Sequence, residues 1–313
     1  MITLLNPFNN QRLNENDLNF FYEIPDLYFK DPNTLTDIQS NFYNEIKFPN
    51  YDDIDNFATL IEKAHNSIFV KKLDEEIPYH SNILEAGCGT GQLSISLSRY
   101  SRKIHSIDLS KGSLIEAKKF IDKNYIKNVQ LYRMNIFNLC FQNNYFDCII
   151  SNGVLHHTHD PKLAFTKLLE KLKPNGIIVI GLYHKYGRIT QNIRQYLIKK
   201  FGSKWKFLDR RFSEDISEKK KYAWLKDQYF NPHETKHSFF EVINWFKENN
   251  VEYLNSIPFT FAPKEKLFKK KKIPKKLETL QKELFLMFDK VQIYEGGFFV
   301  VIGKKLNNNL SNS

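Results

Sequence analysis

Between residues 81 and 182, short apolar runs alternate with stretches of helical spacing, and that rhythm leaves a chain few ways to fold. SNILEA (81–86) reads as a buried strand, after which Leu93, Leu97 and Tyr100 fall on one helical face. RKIHSID (102–108) is a second strand, followed by a helix burying Leu114, Ala117 and Ile121. NVQLYRM (128–134) and YFDCIIS (145–151) are a third and a fourth. Asp160 and Pro161 suit the N-cap and first position of the next helix, which ends near LKPNG (172–176). GIIVIGL (176–182) is a fifth strand. Apolar strands joined by helices predict an α/β fold, its mostly parallel sheet covered on both faces.

Past this stretch the rhythm breaks. Residues 185–237 hold helical and aromatic segments without a clear strand and are read as a helical insertion, a lid, after strand five. The pattern resumes at Ser238, where S-F-F-E makes a capping box and Phe239, Val242, Ile243 and Phe246 share a face. VEYLNSIP is a sixth strand; a basic linker (263–276), a helix near 275–290 and a seventh strand, GGFFVVIGK, follow. The aromatic-rich residues 1–80 predict a helical extension packed over one edge of the sheet, and the tail 304–313 is expected to be disordered.

ILEAGCGTGQLS (83–94) sets Gly87, Gly89 and Gly91 in alternate positions just after the first strand. Bare glycines let a main chain approach a nucleotide, and the helix that follows offers unpaired N–H groups. The spacing is GxGxG, unlike the GxGxxG of nicotinamide binders. Asp108 ends the second strand, 21 residues after Gly87, where a carboxylate can accept from both ribose hydroxyls. Asn135 ends the third.

With Phe146–Ser151, Gly153-Val154-Leu155-His156-His157 and Leu172–Gly176, these residues resemble the class I S-adenosylmethionine-dependent methyltransferases. That family's motifs read (V/I)LExGCGTG, FDxxxxxxVLHH and LKPGG. The likeness covers residues 81–182, with topology supporting it over 238–303. It implies a Rossmann-like methyltransferase domain (81–303) of seven strands, mostly parallel with the last antiparallel, and S-adenosyl-L-methionine as cofactor. Glu85 or its neighbours would meet the cationic amino end, Asp108 the ribose and Asn135 the adenine. Gly87, Cys88, Gly89, Thr90, Gly91, Leu109, Ile136, Asn152 and Gly153 complete the implied cofactor set. Two positions depart from the pattern: Asn135 stands where an Asp is frequent, and Asn175 replaces a Gly but tolerates left-handed geometry.

A sulfonium methyl is already electrophilic, so the protein's task is to align the acceptor and exclude water, with a base needed only for a protonated acceptor. Catalytic candidates are His156, His157 and Tyr183, at the carboxyl ends of strands four and five. Tyr186, Arg188, Asp227, Tyr229 and His233 either line an acceptor pocket or form the insertion's own polar core. His233-Glu-Thr-Lys-His237 matches HExxH, but the capping box starts the helix only after His237, so no shared helical face and no metal site are expected. Cys88, Cys140 and Cys148 read as structural.

A net charge of +11 raises the possibility of RNA or DNA, yet eight lysines crowd into 264–276, and a charge run is ordinarily a solvated segment. A small-molecule acceptor is favoured over nucleic acid. A cofactor-binding protein without transfer activity is the alternative, and an RNA methyltransferase a more distant one. No 18-residue apolar stretch or secretory pattern is visible, and three cysteines without CxxC spacing fit a reducing cytoplasm.

Overall fold

A computed structural model describes residues 2–14, 16, 18–46, 51, 54, 56–202, 209–213, 217–286 and 297–307. The chain opens with β1 (Asn19–Phe21) and β2 (Ile24–Leu27), then α1 (Thr34–Glu45), α2 (Phe57–His65) and α3 (Ile68–Glu76). The alternating part follows as β3 (Asn82–Ala86), α4 (Gln92–Leu97), β4 (Lys103–Asp108), α5 (Lys111–Lys123), β5 (Val129–Met134), β6 (Phe146–Asn152), α6 (Pro161–Lys171) and β7 (Leu172–Tyr183). The insertion supplies α7 (Ile189–Phe201) and α8 (Glu218–Phe230). The chain closes with α9 (Phe239–Glu248), β8 (Val251–Ile257), α10 (Lys276–Phe285) and β9 (Phe298–Lys305).

All strands join one sheet, in the order β1-β2-β5-β4-β3-β6-β7-β9-β8. The pairs from β2–β5 across to β6–β7 are parallel, whereas β9 runs antiparallel to both β7 and β8. The expected seven strands are β3 to β9, and the final antiparallel strand is as expected. The sheet nonetheless has nine. The extra two come from the segment expected to be wholly helical: β2 pairs with β5 through Asp26↔Arg133 and Leu27↔Met134, and β1 folds back on β2. Tyr22 and Glu23 turn that hairpin with φ of 48° and 60°. Such turns favour Asn or Gly, so the sequence gives the hairpin no turn signal.

Alternate strand residues face opposite sides. Leu84, Ile107, Ile149 and Ile180 pack with Phe165 and Leu168 of α6 and with Val242 and Phe246 of α9. Ile83, Ile104, Ile150 and Val179 pack with Leu73 of α3, Ile95 of α4 and Leu114 and Phe120 of α5. Each such buried aliphatic side chain contributes about 1.5–3 kcal/mol, enough for the two faces together to fix the sheet between helical layers. Asp160 caps α6 through Leu163 N (2.9 Å), with Pro161 in its first turn, and Ser238 and Glu241 complete the capping box of α9. Asn175 takes φ 64° in the LKPNG turn; there the β6–β7 register shifts between Phe146↔Leu172 and Cys148↔Ile177.

The lysine-rich segment is fastened rather than loose. Leu267 is buried, Glu76 accepts from Leu267 N and Phe268 N, and Lys269 and Lys271 pair with Glu265 while their neighbour Lys270 pairs with Glu252. The end of the helix expected at 275–290 and residues 308–313 of the tail lie outside the described residues, while Lys304 and Lys305 belong to β9. Among the described residues, no helix is long and apolar enough to cross a membrane.

Candidate active site

After β3 the chain builds outward through β4 and β5, then returns to place β6 on the other side of β3. Loops leaving β3 and β6 therefore part in opposite directions, and such a switch point opens a crevice at the carboxyl ends of the strands. A cavity of about 920 Å³ lies there, near the upper end of what small-molecule sites occupy. Its floor is strand ends, from Glu85 and Asp108 to Asn152 and Tyr183.

Gly87, Gly89 and Gly91 all take positive φ, 82°, 53° and 77°. At Gly87 the need is also spatial: a Cβ there would stand 2.4 Å from the Val154 methyls. Gly87 N and Cys88 N donate to the Ile107 carbonyl, which ties the turn to the end of β4 (2.8 and 3.0 Å). Asp108 holds the turn from the other side, accepting from Gly89 N and Ser110 N, each at 2.8 Å. Both oxygens keep a lone pair for a ligand hydroxyl. Burial raises the Asp108 pKa, against the pull of those backbone donors.

Glu85 lines the cavity, but one oxygen is engaged by Ser94 N (2.9 Å) and by the Ser94 hydroxyl, so one N–H expected to stay free at the start of α4 is capped. Burial pushes Glu85 up to about 8. Asn135 gives Nδ2 to Asp31 (3.3 Å) and accepts from Phe137 N (3.1 Å). Asp31 also accepts from Thr36 Oγ1 and Asn33 N. Cys88, Leu109, Ile136 and Gly153 line the cavity as well; Thr90 and Gly91 stand behind its wall.

His157 and Tyr183 reach the cavity, whereas His156 does not. The His156 ring is fully buried between His157 and Tyr183, with centroids 4.2 and 4.0 Å away, and neither nitrogen has a partner among the described residues. Burial, then its charged neighbours, hold its pKa well below the usual histidine range. His157 Nδ1 faces the His233 carbonyl at 2.9 Å; a carbonyl can only accept, so Nδ1 carries hydrogen and Nε2 of the neutral ring is the basic nitrogen. The Tyr183 hydroxyl accepts from Gln228 Nε2 (2.7 Å), and its raised pKa comes from burial.

Of the residues expected around an acceptor, Asp227 lines the cavity. Arg188 stands behind it, its guanidinium 3.9 Å over Tyr183, paired with Glu234 and donating to Gln228. Tyr229 is buried against Asp209 (2.6 Å) inside the insertion. Tyr186 packs by His184, and His233 contributes its carbonyl, so neither side chain lines the cavity. No helix spans 231–238, and α9 starts only at Phe239. The HExxH histidines therefore do not share a helical face.

Sequence reasoning expected the insertion beside the acceptor and missed α1. The extension does not merely cover an edge: Thr36, Gln39 and Tyr43 of α1 line the cavity together with Trp224 and Asp227 of α8. Tyr43 donates to Asp227 (2.8 Å), which joins the extension to the insertion.

A family described as a methyltransferase domain matches residues 79–238. A malonyl-(acyl-carrier protein) O-methyltransferase from Bacillus anthracis is 31% identical over 133 residues, covering 41% of this chain and 48% of that one. A mitochondrial ubiquinone biosynthesis O-methyltransferase from Dictyostelium discoideum is 30% identical over 114 residues, 33% and 36% of the two chains. The chain thus spans about half or less of the length of these relatives. Among solved structures, PKMT2 from Rickettsia typhi shares the fold, with a TM-score of 0.54 at 18% identity over 78% of this chain and 53% of that one.

Proposed function

The chain belongs to the methyltransferase-domain family, and from that premise we propose that it transfers the methyl group of S-adenosylmethionine to a small organic acceptor. The donor fits the strand-end half of the cavity. Gly87 has to be glycine, because its φ is positive and a Cβ would strike Val154, so the turn can pack tightly at the edge of the cavity, and Asp108 beside it can accept from ribose hydroxyls. Asn135, steadied by Asp31, stands toward the base, and Glu85 toward the cationic amino group. When bound, the donor would supply a sulfonium methyl that needs no further activation.

The remaining work falls to the chain's own residues. The α1 and α8 roof excludes water and holds the acceptor in line. His157 Nε2 takes the proton from an acceptor O–H or N–H, with the His233 carbonyl fixing the tautomer. Tyr183 and Gln228 shape the wall beside it.

The observation that carries this reading is the joint placement of the glycine turn, Asp108 and His157 around one cavity of about 920 Å³, with room for a nucleoside and a second molecule. Titrating S-adenosylmethionine into the protein tests it, with binding expected in the micromolar range and weakened by Asp108→Ala. Transfer of labelled methyl into a cell extract, fractionated into small molecules, lipid, RNA and protein, should mark the small-molecule fraction. Absence of binding, or equal binding by Asp108→Ala, would overturn the donor assignment; label in RNA or protein would overturn the acceptor class.

A further inference from the structure

The roofed half of the cavity offers a ligand hydrogen-bond acceptors and a carboxylate that meets no cation among the described residues. Asp227 is 5% exposed, and its partners are neutral: the Tyr43 hydroxyl at 2.8 Å and the Gln228 amide at 2.7 Å. Gln39, also 5% exposed, spends both amide hydrogens on Asn231 Oδ1 (3.0 Å) and the His233 carbonyl (3.1 Å). Those two acceptors fix which end of the amide is which, and Gln39 Oε1 is left buried without a donor among the described residues. Asn231 gives its own amide to the Tyr43 hydroxyl at 2.9 Å, so Gln39, Asn231, Tyr43 and Asp227 form one continuous rail. His157 Nε2 adds a further acceptor, its ring 6.0 Å from that of Tyr43.

A buried carboxylate among neutral donors is costly unless a positive group completes it, and an unpaired carbonyl oxygen calls for an N–H or O–H. Nearby cations do not fill that role. Arg188, one bond further along through Gln228, is matched by Glu234. Lys220 lies two helical turns before Asp227 on α8, about 10 Å along the axis, and Lys63 lines the cavity from α2; each has a partner of its own.

We propose that this half of the cavity recognises an acceptor carrying a protonated amine, whose N–H groups are donated to Asp227 and Gln39 Oε1. The assignment rests on the reading of the same cavity as a methyl-transfer site. An ammonium matches the rail in charge and in hydrogen-bond sense, because the Asp227 carboxylate and Gln39 Oε1 both accept. A carboxylate ligand would meet Asp227 as a like charge.

The test uses the full chain saturated with S-adenosylhomocysteine and three matched probe pairs, with affinities measured by ligand-observed NMR. The pairs are benzylamine against benzoate, tyramine against 4-hydroxyphenylacetate, and 1,4-diaminobutane against succinate. Each amine should bind at least tenfold more tightly than its carboxylate, and Asp227→Asn should reduce that preference below threefold with S-adenosylhomocysteine affinity unchanged. Gln39→Leu, which removes the unpaired oxygen but no charge, should weaken the amines severalfold and leave the carboxylates unchanged, so that the preference narrows by the same factor, and it serves as the second variant if Asp227→Asn fails to fold. Equal binding of amines and carboxylates overturns the proposal. So does loss of S-adenosylhomocysteine by a folded Asp227→Asn, since the carboxylate would then serve the donor. If the wild-type chain binds no S-adenosylhomocysteine, the methyl-transfer reading itself falls, a result distinct from either of the others.

Discussion

Replacing Glu85 by glutamine should make the protein more stable at neutral pH, and the gain should grow as pH rises. The Glu85 carboxyl is pushed from 4.5 up to about 8, first by burial, with the Ser94 hydroxyl and amide pulling it partly back and the Asp108 charge adding to the rise. Between those two values the folded chain keeps the proton while the unfolded chain has released it. The unfolded state therefore binds fewer protons, and stability falls with rising pH by about 1.4 kcal/mol per unit. From 4.5 to about 8 the loss is on the order of 5 kcal/mol, absent below 4.5 and complete above the folded value. Glutamine keeps the shape and an oxygen for Ser94 but does not titrate. Urea unfolding at pH 5, 6, 7 and 8 should give nearly equal stabilities at the acid end and an advantage of several kcal/mol for Glu85→Gln at pH 8. Parallel curves would refute the reasoning, because they would mean the carboxyl titrates alike in both states. A donor whose ammonium approaches Glu85 should expel its proton, seen at pH 7 as a binding enthalpy that depends on the buffer in wild type and not in the variant.

Asp31→Ala removes the carboxylate that holds the Asn135 amide, so donor Kd should rise about three- to tenfold with the maximal rate unchanged, as read by calorimetry and steady-state kinetics. His157→Ala should lower transfer at saturating donor by about 100-fold or more for a protonated acceptor, whereas His156→Phe, which refills a packed aromatic slot, should stay within about threefold. Asp74→Ala strands Arg102, which is fully buried and donates to that carboxylate at 2.7 Å; the expected cost is about 3–5 kcal/mol in urea unfolding.

The donor half of the site was legible because its requirements fall on residue types. Positive φ at Gly87, Gly89 and Gly91 and a lone acid closing β4 leave marks that survive without coordinates. The strands from β3 to β9 were legible for a similar reason: burial on both faces demands apolar runs. Neither signal reaches α1. In α1 the residues turned inward include Thr36, Gln39 and Ser40, with Tyr43 one turn on, which is helical spacing carried by polar side chains. A search for apolar periodicity passes over such a stripe. Its partners are equally remote, since Gln39 to Asn231 spans 192 residues and Tyr43 to Asp227 spans 184. The stripe is nonetheless informative once seen. A helix that buries polar groups must satisfy them, and α1 does so through Asp31 for Thr36, the Leu109 carbonyl for Ser40, Asn231 and the His233 carbonyl for the Gln39 amide, and Asp227 for Tyr43, leaving Gln39 Oε1 without a partner among the described residues. The one oxygen left over belongs to a residue lining the cavity, so the same accounting that explains why α1 docks here also marks the place where a ligand hydrogen is still missing.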